Sequence, residues 1–182
     1  MAITLAQGIA LAVMAIIVGV DFWLEALFIF RPIIVCTLTG IILGNVPLGL
    51  TPAGGTQPPN PVLAGVMTTV IAYTTGKDPA TAIGLALPFS FLMQYIILFY
   101  YSSFSLFMKK ADKYAEEADG KSLARLNMLT TGIVAVTYGV VVFLWAYVAQ
   151  DAMQALVKAM PEWLTHGFEI AGGILPAVGF GM

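Results

Sequence analysis

Apolar residues fill this chain in runs of unequal length, and the inequality is informative. Ala2 to Val20 supplies nineteen mostly apolar residues, about the length one transmembrane helix requires. The run that Pro32 opens, IIVCTLTGIILG, is too short for a crossing, and so is the one from Pro61 to Thr75. At ~1.5 Å per residue the latter would reach ~22 Å, against a hydrocarbon core of ~30 Å. Between these two short runs lies Gly44–Pro61, GNVPLGLTPAGGTQPPNP, rich in glycine and proline. Asn60 fits a helix cap and Pro61 the first helical position, because Asn accepts from a free backbone N–H and Pro has none to leave unsatisfied. The pattern predicts a re-entrant interruption over residues 44–61, followed by a half-helix that begins inside the membrane. Its positive dipole end and free N–H groups would then meet a polar ligand at that depth.

Gly76 reads as a helix stop, Asp78 as a cap and Pro79 as the next first position. The apolar segment from Pro79 to Met108 would be ~45 Å long if wholly helical, so it must tilt, kink or protrude, with Pro88 as the expected kink. Gln94 lies well inside it, where an amide needs a partner from a neighbouring helix or a substrate. Residues 109–127, KKADKYAEEADGKSLARLN, form the long hydrophilic stretch and carry Lys109, Lys110, Lys113, Lys121 and Arg125. The positive-inside rule makes this loop cytoplasmic, and Lys113 and Glu117, four apart, fit a solvated helix. Met128–Ala149 reads as a plain membrane helix. In the next segment Met153, Leu156, Val157, Met160 and Leu164 share an apolar face, the mark of an interfacial or re-entrant amphipathic segment, and Pro161 breaks or restarts it.

Composition agrees with this membrane reading. Hydrophobic residues make up 59% and charged residues 10% of 182 residues, and mean hydropathy is +0.91. The expected class is an all-α polytopic membrane protein forming a single membrane domain over 1–182, with no soluble catalytic domain, hence not an enzyme in itself. Net charge of −2 without a basic arm gives no sign of nucleic-acid binding. One cysteine, Cys36, and one histidine, His166, exclude a disulfide framework and leave no Cys/His metal site or cofactor motif. Cys36 reads as a small apolar residue and His166 as a surface histidine. Asp21, Glu25 and Arg31 stand among aromatics, as at a membrane interface, where Arg31 can pair with either acid or snorkel. Gly40 and Gly44 form a GxxxG pair that permits close helix contact.

The stretches GVDFWLEALFIF, RPIIVCTLTGIILG, LTPAGGTQPPNP, TAIGLALPFSFLMQYIILF and MQALVKAMPEWLTHGFEIAGGILPAVGFG together resemble the IIC membrane subunit of bacterial sugar phosphotransferase systems of the mannose/sorbose superfamily, in particular the N-acetylgalactosamine or galactosamine branch. The resemblance covers nearly the whole chain. It implies inverted helical repeats with re-entrant elements, a multi-pass location in the bacterial inner membrane, homo-oligomers and pairing with a IID membrane subunit. It further implies passage of the sugar to cytoplasmic IIB, which is served by IIA and does the phosphorylation. Members of the family also carry an extra segment, with a Gly-Gly and a Glu suited to accept from a sugar hydroxyl, where here Gly49 passes almost directly into Thr51; Asn45 replaces their usual Asp. They continue with further membrane helices where this chain stops. Either residues are missing from this sequence or it is a deletion variant with impaired transport.

On that resemblance an amino sugar would be held by neutral groups near the half-helix start. Gln57 and Asn60 would engage hydroxyls or the acetamido group, with Thr56 and Gln94 as further candidates, since amides donate and accept without burying an unpaired charge. In the structural alternative Gln57 and Asn60 only satisfy backbone in the turn and cap the helix. Two other classes stay open: a secondary transporter or channel, which in the ion-coupled case usually places an ionisable group mid-membrane, and an assembly subunit that transports nothing.

Overall fold

The computed structural model describes residues 1–51, 60–102 and 105–179. Among them nine α-helices follow one another: α1 (Leu5–Leu24), α2 (Pro32–Leu43), α3 (Val46–Leu50), α4 (Pro61–Thr75), α5 (Pro79–Ser102), α6 (Ser105–Glu116), α7 (Gly120–Phe143), α8 (Gln150–Ala159) and α9 (Glu162–Gly179). A π-helical turn, Leu144–Val148, joins α7 to α8, and no strand occurs among the described residues. Among the described residues two stretches are long and apolar enough to cross a membrane: α1, and the 29 residues from Gly120 to Val148.

The half-helix read from the sequence is α4, and it lies at the centre. Asn60 caps it by accepting the Leu63 N–H at 3.1 Å, and Gly76, at φ 69°, ends it. Every residue from Val62 to Ala72 is buried, because α1, α2, α3, α5, α7 and α8 all touch it. A helix apolar on all sides suits such a place. Three of its threonines are satisfied within the helix: the Thr69, Thr74 and Thr75 hydroxyls donate to the carbonyls of Gly65, Val70 and Ile71 one turn back.

Around α4, α1 and α7 run antiparallel in close contact. Tyr147 faces Gly8, Gly139 faces Ile16 and Ala12, and Tyr138 faces Gly19. With little hydrophobic drive between helices in lipid, such small-residue contacts supply much of the dispersion that holds a bundle. The Gly40–Gly44 pair behaves differently from the GxxxG expectation. Gly40 meets Gly49 of α3, where an added Cβ would lie 2.8 Å from the Gly49 Cα. Gly44, at φ 76°, ends α2 instead. Asn45 then caps α3 by accepting the Leu48 N–H at 3.1 Å, so part of the 44–61 interruption is a short helix folded against α2.

Other local expectations are refined. Helix α1 continues past Val20, and Asp21, less than one turn from its end, is 5% exposed. Its Oδ1 and Oδ2 accept the N–H groups of Leu27 and Ile29 at 2.6 and 2.7 Å, bracing a loop that holds Glu25 and Phe28 at φ 48° and 57°. Arg31 lies over the Phe28 and Phe30 rings, 5.7 and 5.6 Å from their centroids, while Lys113 and Glu117 form an ion pair at 3.7 Å. The hydrophilic stretch 109–127 is a helical hairpin: α6 ends at Glu116, Asp119 caps α7 by accepting the Ser122 N–H at 3.1 Å, and α7 starts eight residues before Met128. Finally, the amphipathic face after residue 150 is divided. Met153 and Val157 are buried while Leu156 is half exposed, with α8 packed on α4; Pro161 separates α8 from α9 as read.

Candidate functional site

The amino end of α4 carries a polar cluster inside an apolar bundle. Asn60 is 1% exposed. While its Oδ1 caps the helix, its Nδ2 donates to Gln94 Oε1 of α5 at 2.6 Å and to the Tyr138 hydroxyl of α7 at 2.5 Å. Three helices are thus tied through one amide. Gln94, half-buried, has the neighbouring-helix partner its position required. Thr56 and Gln57 lie outside the described residues.

Tyr138 is the member that sequence reasoning missed. Its ring is 1% exposed, set against Gly19 and 6.3 Å from the Phe22 ring, which in turn meets Phe30 edge-on at 5.3 Å. Asp21 braces the loop that delivers Phe30, so a buried carboxylate in α1 supports the aromatic wall beside the cluster. The signal available in the sequence was a phenol within an otherwise apolar membrane helix, where a buried O–H usually finds a partner.

The cluster's depth follows from its neighbours. Tyr138 faces Gly19, five residues before the end of α1, hence ~7 Å inside that end at ~1.5 Å per residue. The other end of α4 lies beside the start of α1, where the Met1 ammonium donates to the Thr74 carbonyl at 2.9 Å. There too Gln150 exchanges two hydrogen bonds with the backbone of Ile3, at 2.8 and 3.3 Å. Helix α4 therefore starts within the bundle, and the α6–α7 hairpin stands at the end of α1 nearer the cluster, where Trp23 and Leu123 line one cavity. At the opposite end a shallow cleft of about 460 Å³ between the starts of α5 and α9 holds Asp78, Thr81, Trp163 and the exposed His166. No set of three or more metal-ligating side chains occurs among the described residues. Cys36 is buried and its thiol donates to the Gly65 carbonyl at 3.5 Å.

The family model for the sorbose-specific IIC component of the phosphotransferase system matches residues 5–182. The chain belongs to that family. It is an all-helical sugar permease component of the phosphotransferase system and a bacterial membrane protein. It is 65% identical over 193 positions to N-acetylgalactosamine permease IIC component 1 of Escherichia coli, covering 99% of this chain and 72% of that one. To the sorbose-specific EIIC component of Klebsiella pneumoniae it is 28% identical, covering 100% and 74%. Because 193 positions are matched by a chain of 182 residues, the Escherichia coli relative has at least eleven residues without a counterpart here. Among solved structures, one membrane protein shares the fold with a TM-score of 0.78 at 24% identity, over 98% of this chain and 78% of that one. The mannose transporter ManYZ in complex with microcin E492 gives 0.67 at 24% identity, over 100% and 79%.

Proposed function

We propose that this IIC component translocates an amino sugar, N-acetylgalactosamine or galactosamine, across the bacterial inner membrane as part of a multi-pass complex with a IID subunit. The sugar passes to cytoplasmic IIB, itself served by IIA, where phosphorylation occurs, and this chain orients and releases it without breaking bonds. The observation that carries the reading is the 65% identity to an N-acetylgalactosamine permease component. The neutral cluster at the start of α4 supports it, because sugar hydroxyls and amides are matched by neutral donors and acceptors at no cost of an unpaired buried charge. Gln57, Asn60, Thr56 and Gln94 are the proposed sugar-facing residues; with both Nδ2 protons of Asn60 engaged, its own direct offer is the second lone pair of Oδ1. The basic residues of 109–127 put that hairpin, and with it the end of the bundle nearer the cluster, on the cytoplasmic side.

The test is uptake of labelled N-acetylgalactosamine in cells that lack their own amino-sugar permeases and are supplied with the IID, IIB and IIA subunits. Accumulation of phosphorylated sugar that needs phosphoenolpyruvate and IIB, and resists uncouplers, is expected. Uncoupler-sensitive uptake of free sugar would overturn it in favour of a secondary transporter. A second reading, an assembly subunit that transports nothing, draws on the eleven or more residues absent relative to the permease; stable association with IID and no uptake is its signature.

A further inference from the structure

The hydrogen-bond directions in the cluster are fixed by its cap. Because Asn60 Oδ1 accepts the Leu63 N–H, the amide cannot be turned over, and its Nδ2 faces Gln94 and Tyr138. Gln94 must then present its oxygen to Asn60, which leaves its Nε2 protons directed elsewhere. Likewise Tyr138, whose oxygen accepts from Asn60, has its own O–H proton still to donate. Among the described residues nothing accepts from either donor. Tyr138 is 1% exposed and Gln94 half-buried; a donor as buried as the Tyr138 hydroxyl is rarely left without a partner in folded proteins, and the cost calls for an explanation.

We propose that the Tyr138 hydroxyl and Gln94 Nε2 form a donor-only subsite for the acetamido carbonyl of an N-acetylated amino sugar, aimed by Asn60 as the positioning residue. The inference rests on the permease reading and adds to it a residue and a basis for selectivity. A carbonyl oxygen has two lone pairs and satisfies both donors. An ammonium in the same place offers no acceptor and leaves both unpaired in a desolvated site, and pockets built to hydrogen-bond a group discriminate strongly against analogues that lack it. The pair therefore separates N-acetylgalactosamine from galactosamine.

Tyr138→Phe removes the hydroxyl and keeps the ring against Phe22 and Gly19; Gln94→Met removes the other donor at similar length. KM for uptake of each labelled sugar is measured in cells holding the full set of subunits, with membrane abundance as control. Each substitution raises KM for N-acetylgalactosamine roughly tenfold, the size of one lost buried hydrogen bond, and lowers KM for galactosamine, whose binding no longer leaves that donor unpaired. Unchanged KM for N-acetylgalactosamine in both variants overturns the subsite, and so does an equal shift for both sugars, which marks a structural role. Equilibrium binding of N-acetylgalactosamine to the purified membrane complex separates this from failure of the permease reading. Binding that weakens in Tyr138→Phe, with no uptake by any form, keeps the subsite and sinks transport; equal binding by wild type and variant sinks the subsite.

Discussion

Replacing Asn60 with Ala removes three hydrogen bonds whose costs can be separated. Loss of an N-cap costs about 1 kcal/mol. The bonds to Gln94 and Tyr138 cross between helices, and such bonds in membrane proteins average about 0.6 kcal/mol each, so the two add about 1.2 kcal/mol. Asn60→Ala is therefore expected to lower stability by about 2 kcal/mol. Asn60→Ser retains a capping oxygen but cannot reach Gln94 and Tyr138, and should lose about 1.2 kcal/mol. Reversible unfolding of the purified protein in mixed micelles, titrated with denaturing detergent, measures both. The order wild type, Ser, Ala with a step of about 1 kcal/mol between variants is the cap's signature. If Asn60→Ala stayed within about 0.5 kcal/mol of wild type, a spread typical of inconsequential surface changes, the view of this amide as the tie among three helices would be refuted. Normal abundance with lost uptake would equally show that Asn60 serves the sugar more than the fold.

Asp21→Asn leaves one oxygen for the two amides of Leu27 and Ile29 and turns an NH2 group toward the other. The loss of a charge-assisted bond should cost about 2 kcal/mol and show first as faster amide exchange at those two residues. Gly40→Ala places a methyl 2.8 Å from the Gly49 Cα; overpacking of this kind costs roughly 1–3 kcal/mol, and a lower folded yield by size-exclusion chromatography should result. The hydrogen bond from Ser122 holds the Asp119 carboxyl below its ordinary range. A lowered folded-state value means that the hairpin gains stability above the ordinary carboxylate range and loses it as pH falls through that range to the lowered value. Amide exchange in α7 followed against pH should show this fall, and Asp119→Ala should abolish it.

The parts of this fold that were legible are those decided within a few residues. Asn60–Pro61 and Asp78–Pro79 open helices, Gly76 closes one, and Pro161 divides α8 from α9, each for reasons of backbone geometry and unsatisfied N–H or C=O groups. The start of α7 was placed eight residues late because hydropathy marks where a helix enters lipid, whereas Asp119 marks where its first turn is capped. That two backbone amides six and eight residues after Asp21 satisfy its carboxylate was not legible, because the loop that turns them back toward it is fixed by packing.

The chain by itself determined a helical membrane protein, the short central helix and its caps, because run lengths and capping chemistry are local properties. The resemblance carried by its scattered stretches reached the permease family as well. Only the tertiary structure decided that the cap amide of Asn60 would meet Gln94 and Tyr138, 34 and 78 residues away. That contact depends on α1 and α7 closing over small residues around a buried α4. No periodicity along the chain encodes which polar atom of one helix will face another; three-dimensional packing selects the pair, and with it which donors are left for a ligand.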